Sequence, residues 1–302
     1  KGWRETLQVN YAYRAPEIGQ FRVNAFYQRG TPSLVLRHVK EVPPRLEALG
    51  HCVELIQPLC AWEYGLVLVS GSVGSGKSST LAGMLQYINQ TSRRHIITLE
   101  DPIEFVYQDE QSIFNQREIG LDAPNFLEGL KAALRQDPDG ILIGEIRDRS
   151  TAEMVLSAAE TGHLVLASVH ATDAQQTLQR FADFFPTDQQ AYICRMLSAV
   201  LRATLTQKLA LKPDGKSRLP VVECLQVDAL AREVIGLREF HKVPQLLEAG
   251  YPQTCRAFND DLQRLIEEAS ISEAEGLRLS HNPEELKMRL KGILISRGGL
   301  VS

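Results

Sequence analysis

The run Gly71-Ser72-Val73-Gly74-Ser75-Gly76-Lys77-Ser78, followed by Ser79, constrains this chain more than any other stretch. It matches G-x-x-x-x-G-K-[ST], and the spacing has a mechanical reason. Glycines let the backbone wrap an oxyanion with its N–H groups pointing inward. A helix that follows aims its N-terminal dipole at the same anion. Lys77 has the reach for β- and γ-phosphates, and Ser78 carries the hydroxyl that ligates Mg2+ in such loops. By average residue usage the pattern arises by chance roughly once per hundred chains of this length. Here the flanks agree with it: 65–70 is an apolar strand and 78–89 has helical spacing. A strand–loop–helix that binds ATP and Mg2+ through residues Gly71 to Ser79 is therefore expected.

Around this loop, short apolar runs at 95–99, 141–144 and 164–169 alternate with helical patterns at 46–59, 126–135 and 151–161. Such alternation implies a mainly parallel sheet covered on both faces, an α/β domain over residues 45–226, with 219–223 as a later strand. Upstream, 21–26 alternates apolar and polar residues and 34–39 does so in part, with Gly30-Thr31-Pro32 as the turn between them. So short a stretch cannot build a core of its own. Residues 1–44 therefore read as the end of a β-containing N-terminal domain plus a Val42-Pro43-Pro44 linker. From 227 to 302 the pattern is helical, clearest at 259–269 and 283–290, with Ser270-Ile271-Ser272-Glu273 as a break and a cap.

Composition narrows the function classes. With 302 residues, the chain suits one large domain or two modest ones. Lys plus Arg total 33 against 37 Asp plus Glu, a net charge of -4 with no basic block, which counts against a nucleic-acid partner. No apolar run approaches the roughly 18–20 residues that span a bilayer, so no transmembrane segment is expected. The cysteines Cys52, Cys60, Cys194, Cys224 and Cys255 form no C-x-x-C pair. They read as free thiols of a reducing compartment rather than zinc ligands. The chain opens at Lys1-Gly2-Trp3, which leaves room for an upstream segment and a targeting signal on it.

A nucleotide site also needs groups for the metal and the attacking water. In open parallel sheets these come from the carboxyl ends of neighbouring strands. Strand 95–99 runs into Glu100, Asp101 and Glu104, and strand 141–144 runs into Glu145. Two roles are open to Glu145: holding Mg2+ through water, or polarising the nucleophile. Glu104 is the candidate general base. Solvated loop carboxylates are the plain alternative, most of all for Glu100 and Asp101. His163 and His170 bracket strand 164–169. His170 falls at its carboxyl end, where it would sense the γ-phosphate or touch a neighbouring subunit; a satisfied structural histidine is the alternative for both.

Taken in order, several stretches recur together: 71–80, 97–105, Asn115-Gln116-Arg117-Glu118, 143–148, 160–165 and His170-Ala171-Thr172. In this combination the chain resembles the secretion ATPases of type IV pilus and type II secretion systems, and most the pilus retraction branch, the PilT/PilU type. The resemblance covers nearly the whole chain, from about residue 21. It implies a RecA-like P-loop ATPase domain preceded by a PAS-like N-terminal domain, whose first part would precede this sequence, and a C-terminal helical region packed on the ATPase domain. It implies a cytoplasmic homohexamer at the inner-membrane base of a pilus machine, driving an integral-membrane platform protein by ATP hydrolysis, with a paralogous retraction ATPase as a further partner.

By the same resemblance Lys77 and Ser78 match the loop lysine and serine, Glu104 the catalytic glutamate, Glu145 the Walker B glutamate, and His163 and His170 the paired histidines. Arg22 and Arg37 fall where the family supplies arginines to the γ-phosphate, with Arg29 a third candidate. Two departures stand out. Val73 replaces a common threonine at a position that contributes backbone. The branch's Ala-Ile-Arg-Asn-Leu-Ile-Arg-Glu helix is matched at 232–239 cleanly only by Arg238-Glu239. The expected function is a hexameric MgATP-hydrolysing retraction motor. The alternatives are an ATPase of a type IV secretion system or an accessory retraction paralogue with weak turnover.

Overall fold

The computed structural model describes residues 6–39, 42–50, 53–249 and 255–292. Cys52 lies outside them; Cys60, Cys194, Cys224 and Cys255 are free and buried. No helix of the described residues is long and apolar enough to cross a membrane.

The described strands form two sheets. The first is an antiparallel meander of β1 (Gln8–Ala15), β2 (Gly19–Gln28) and β3 (Thr31–Val39). Gln28 faces Thr31 across a two-residue loop, Arg29-Gly30, in which both residues have positive φ. That backbone hand matches the twist of a tight hairpin. Thr31 and Pro32, expected in the turn, thus belong to β3, an edge strand where a residue lacking an N–H is tolerated.

The second sheet has seven strands in the order β10-β9-β4-β8-β7-β5-β6. They are β4 (Gly65–Ser70), β5 (His95–Glu100), β6 (Ile113–Glu118), β7 (Gly140–Ile143), β8 (Leu164–Val169), β9 (Leu201–Leu211) and β10 (Arg218–Gln226). All neighbours pair in parallel except β9 and β10. Every residue of β4, β7 and β8 is buried, as both-face coverage requires. Leu66 and Leu68 of β4 face a core built with helices Phe126–Ala133, Arg149–Glu160, Ala174–Asp183 and Thr187–Val200. Val67 and Val69 face the opposite core, built with Val53–Cys60 and Lys77–Thr91. β6 and β9 fall outside the sequence-based expectation, and the expected helix at 46–59 is split. It becomes a 3-10 turn, Glu47–Leu49, and the helix Val53–Cys60, with Gly50 left-handed after the turn.

Leu46, just after the proline linker, is anchored rather than loose. It is 1% exposed in the core with Lys77–Thr91. A Cβ on Gly83 of that helix would come within 2.9 Å of its Cδ2. Full burial of a leucine is worth about 1.5–3 kcal/mol, so this side chain pins the linker beside the glycine loop's helix.

The C-terminal helices divide into two groups. Ala229–Gly236 and Val243–Ala249 join the first core. Phe258–Glu267, Glu273–Leu279 and Pro283–Leu290 cover Ala210 of β9 and Leu219 and Val221 of β10. Ser272 caps Glu273–Leu279, accepting from the Glu275 N–H at 3.2 Å, as its sequence position suggests. Within 232–239, Arg238 donates to Gln190 and Glu239 pairs with Lys242, so both residues make intramolecular contacts.

Candidate nucleotide-binding site

The carboxyl ends of β4, β5, β7 and β8 open onto one crevice of about 530 Å³. Its lining includes Val73 to Ser79, Glu100, Asp101, Glu104, Glu145, Arg147, His170 and Arg37. This is where an open parallel sheet places a ligand.

The glycine loop leaves β4 and enters helix Lys77–Thr91 with Gly76 left-handed at the N-cap. Close approach explains the loop's first glycine: a Cβ on Gly71 would lie 2.3 Å from Ser75 Oγ and 2.6 Å from the Gln207 carbonyl. Gln207, on β9 and 1% exposed, holds the loop from beneath. Its amide donates to the Ser75 carbonyl at 2.5 Å and accepts from Thr80 Oγ1 at 2.7 Å. Sequence reasoning missed Gln207 because it missed β9. The signal was the alternation Leu201, Ala203, Leu205, with Leu209 and Leu211 continuing it past Gln207.

The Lys77 ammonium donates to the carbonyls of Gly71 at 2.8 Å and Ser72 at 3.0 Å. Burial pushes its pKa down, and the Glu145 carboxylate offsets part of that. Its Nζ also lies 3.3 Å from His170 Nδ1, while His170 Nε2 lies 2.9 Å from Glu145 Oε1. His170 Nδ1 also lies 3.4 Å from the Gly71 carbonyl, so the ring is held between the glycine loop and Glu145. Ser78 Oγ donates to Glu104 Oε1 at 3.2 Å. Hydroxyl and carboxylate oxygens of Ser78, Glu104 and Glu145 suit a hard cation such as Mg2+, and the loop with Lys77 suits phosphate. The side chains therefore fit a magnesium nucleotide.

Glu100 is neither a solvated loop residue nor a free base. It is buried, accepts from Thr98 Oγ1 at 2.6 Å and Gln116 Nε2 at 3.2 Å, and burial raises its pKa. Gln116 also accepts from Tyr107 N and donates to the Phe105 carbonyl, so it ties β6 to the Glu104 loop. Asp101, also on the crevice wall, is engaged by Arg147 at 3.2 Å and Arg22 at 3.7 Å. Of the three candidate arginines, Arg37 lines the crevice, Arg22 sits at its edge on Asp101, and Arg29 is at the exposed hairpin tip. His163 lies at the other end of β8, its Nδ1 3.0 Å from the Ala158 carbonyl and 3.2 Å from Thr161 Oγ1. Its position is that of a satisfied structural histidine.

A glycine loop between a buried strand and a helix, with acids and a histidine on neighbouring strand ends, is the architecture of P-loop nucleotide-binding proteins. The chain belongs to the family described as Type II/IV secretion system protein, which matches residues 11–284. It is 39% identical to the type IV pilus ATPase PilU of Pseudomonas aeruginosa, over 96% of this chain and 76% of that protein. It is 37% identical to the type IV pilus retraction ATPase PilT of the same organism, over 94% of this chain and 82% of that one. The crystal structure of the pilus retraction motor PilT with bound ADP superposes with a TM-score of 0.87, at 39% identity, over 94% of this chain and 81% of that one.

Proposed function

We propose that this chain is a magnesium-dependent ATPase and the motor, or a component of the motor, of type IV pilus retraction. The observation that carries this reading is the convergence of Lys77, Ser78, Glu104, Glu145 and His170 on one crevice. The kinship with PilT and PilU supports a pilus setting for that crevice. The proposal includes a homohexameric ring in the cytoplasm, seated peripherally at the inner-membrane pilus base against a platform protein. In it β1 to β3 are the end of a PAS-like domain, residues 45–226 the RecA-like ATPase domain, and residues 227–302 a helical region packed on it.

Bound MgATP would supply a γ-phosphoryl group for transfer to water. The chain's own residues have separable tasks. The loop from Gly71 to Ser79 binds the phosphates, and Lys77 neutralises them. Ser78 and Glu145 would hold the metal. Glu104, hydrogen-bonded to Ser78, accepts the proton of the nucleophile. His170 links Lys77 to Glu145 and reports on both. Arg22 and Arg37 supply positive charge from the N-terminal sheet.

The test is steady-state ATPase activity across a protein concentration series, with mass photometry on the same samples. Activity per subunit that rises as hexamers form is expected. A fully active monomer would overturn the ring. Hexamers without turnover would favour the accessory-paralogue reading, which has its own support: in 232–239 only Arg238-Glu239 keeps the retraction-branch pattern, and both are engaged internally.

A further inference from the structure

Glu145 leaves β7 in a segment whose backbone is pinned. Gly144 N donates to the Leu99 carbonyl at 2.8 Å and Ile146 N to the Ser168 carbonyl at 2.9 Å. Ile146 is 2% exposed and turned into the core. The residues on either side of it, Glu145 and Arg147, both line the crevice. Among the described residues, Glu145 Oε1 meets His170 Nε2 at 2.9 Å and Oε2 meets Arg147 Nε at 2.8 Å.

A half-exposed arginine samples many rotamers unless a second contact fixes it. Arg147 has that contact: its Nη1 lies 3.2 Å from Asp101 Oδ2. The other Asp101 oxygen lies 3.7 Å from Arg22 Nη2, so this carboxylate is held from both sides. Two carboxylates thus meet two different nitrogens of one planar guanidinium, a geometry that a lysine ammonium does not reproduce.

We propose that Arg147 is a positioning residue that aims the Glu145 carboxylate into the crevice, and that Asp101 holds Arg147 to this task. The inference rests on the reading of Glu145 as a metal-site carboxylate of an ATPase. Arg147 touches neither phosphate nor water in this scheme; it acts through Glu145.

The experiment uses the full chain and the variants Arg147→Gln, Arg147→Lys, Asp101→Asn and the double variant Asp101→Asn/Arg147→Gln. Two quantities are read: kcat and KM for ATP, and the affinity for fluorescent ADP with Mg2+ and with EDTA. Losing an outer contact to a metal-site carboxylate typically costs about 10–100-fold. Arg147→Gln should therefore lose kcat by that factor with KM nearly unchanged. It should keep its ADP affinity in EDTA and lose the gain that Mg2+ brings. Arg147→Lys should recover part of kcat. Asp101→Asn should move in the same direction, and the double variant should be no slower than Arg147→Gln alone, as two residues acting on one target require. An Arg147→Gln protein with wild-type kcat and wild-type Mg2+ gain, beside an active wild type, overturns this proposal and leaves the ATPase reading standing. Loss of ADP binding in EDTA as well would overturn it in favour of an architectural role. A wild type that hydrolyses nothing would overturn both.

Discussion

Lys77 and Gln207 do opposite jobs for the same loop. Lys77 is on the inside, its ammonium donating to the Gly71 and Ser72 carbonyls, where it can turn to a phosphate without a change of backbone. Lys77→Ala should abolish nucleotide binding in a titration calorimeter. Glu145→Gln removes charge and keeps shape, so binding should survive while kcat falls by at least about 10²; equal turnover would remove Glu145 from the metal site. Gln207 works from outside, bridging Ser75 and Thr80 across the loop. Each such bond is worth about 1 kcal/mol net, and a buried group left without its partner costs more. Gln207→Leu should therefore weaken ADP binding by about tenfold or more while kcat at saturation falls less. Wild-type affinity in that variant would mean that the glycines alone shape the loop.

The helix Ala174–Asp183 begins just past His170, and its first N–H is capped from another element. Glu223 of β10 accepts from Ala174 N at 2.6 Å. Burial, with the Asp173 charge adding to it, raises the Glu223 pKa from 4.5 to about 7, against its backbone bonds and Lys208. The folded state thus holds this proton more tightly than the unfolded chain does. Between pH 4.5 and about 7 folding takes up a proton, so stability from this group is highest below that window, falls as pH rises through it, and is flat above. Glu223→Gln keeps an acceptor for Ala174 and removes the charge. The melting temperature of the variant relative to wild type should rise by on the order of a few degrees between pH 5 and pH 8; a difference that does not change with pH would mean that the carboxylate stays ionised. Neither Glu223 nor its role could be read from sequence, because the cap comes from a strand 49 residues away. The loop, β4, β5, β7 and β8 could be read, since each is a short apolar run with both faces buried. β6 has the half-exposed, mostly polar sequence of an edge strand, and β9 follows its helix at Val200 with no turn residue between. The acids at the strand ends were visible as residues, but what each one meets depends on register: Glu100 meets Thr98 and Gln116, and Asp101 meets arginines.

At the scale of the molecule, the question is what the N-terminal sheet contributes to the site. Arg22 and Arg37 are direct cross-strand partners on β2 and β3. Like charges in that position destabilise a sheet, so the pair needs anionic surroundings. Asp101 meets Arg22 at 3.7 Å, and burial raises the Glu118 pKa while its Ile103 backbone bond and the Arg22 charge offset part of that. Arg37 lines the crevice. Two jobs are therefore open to this pair: docking the sheet onto acids beside the crevice, and delivering charge to a phosphoryl group. Fingers of the second kind contribute up to about 10³–10⁵ in rate. Arg22→Ala and Arg37→Ala should each slow hydrolysis with ATP affinity nearly unchanged and with hexamers still seen by mass photometry. Arg22→Lys separates the two jobs, because it keeps a charge for Asp101 and removes the planar guanidinium. Turnover that stays low in Arg22→Lys would make Arg22 a finger, whereas turnover at the wild-type rate would make it a docking residue and leave phosphoryl charge to Arg37.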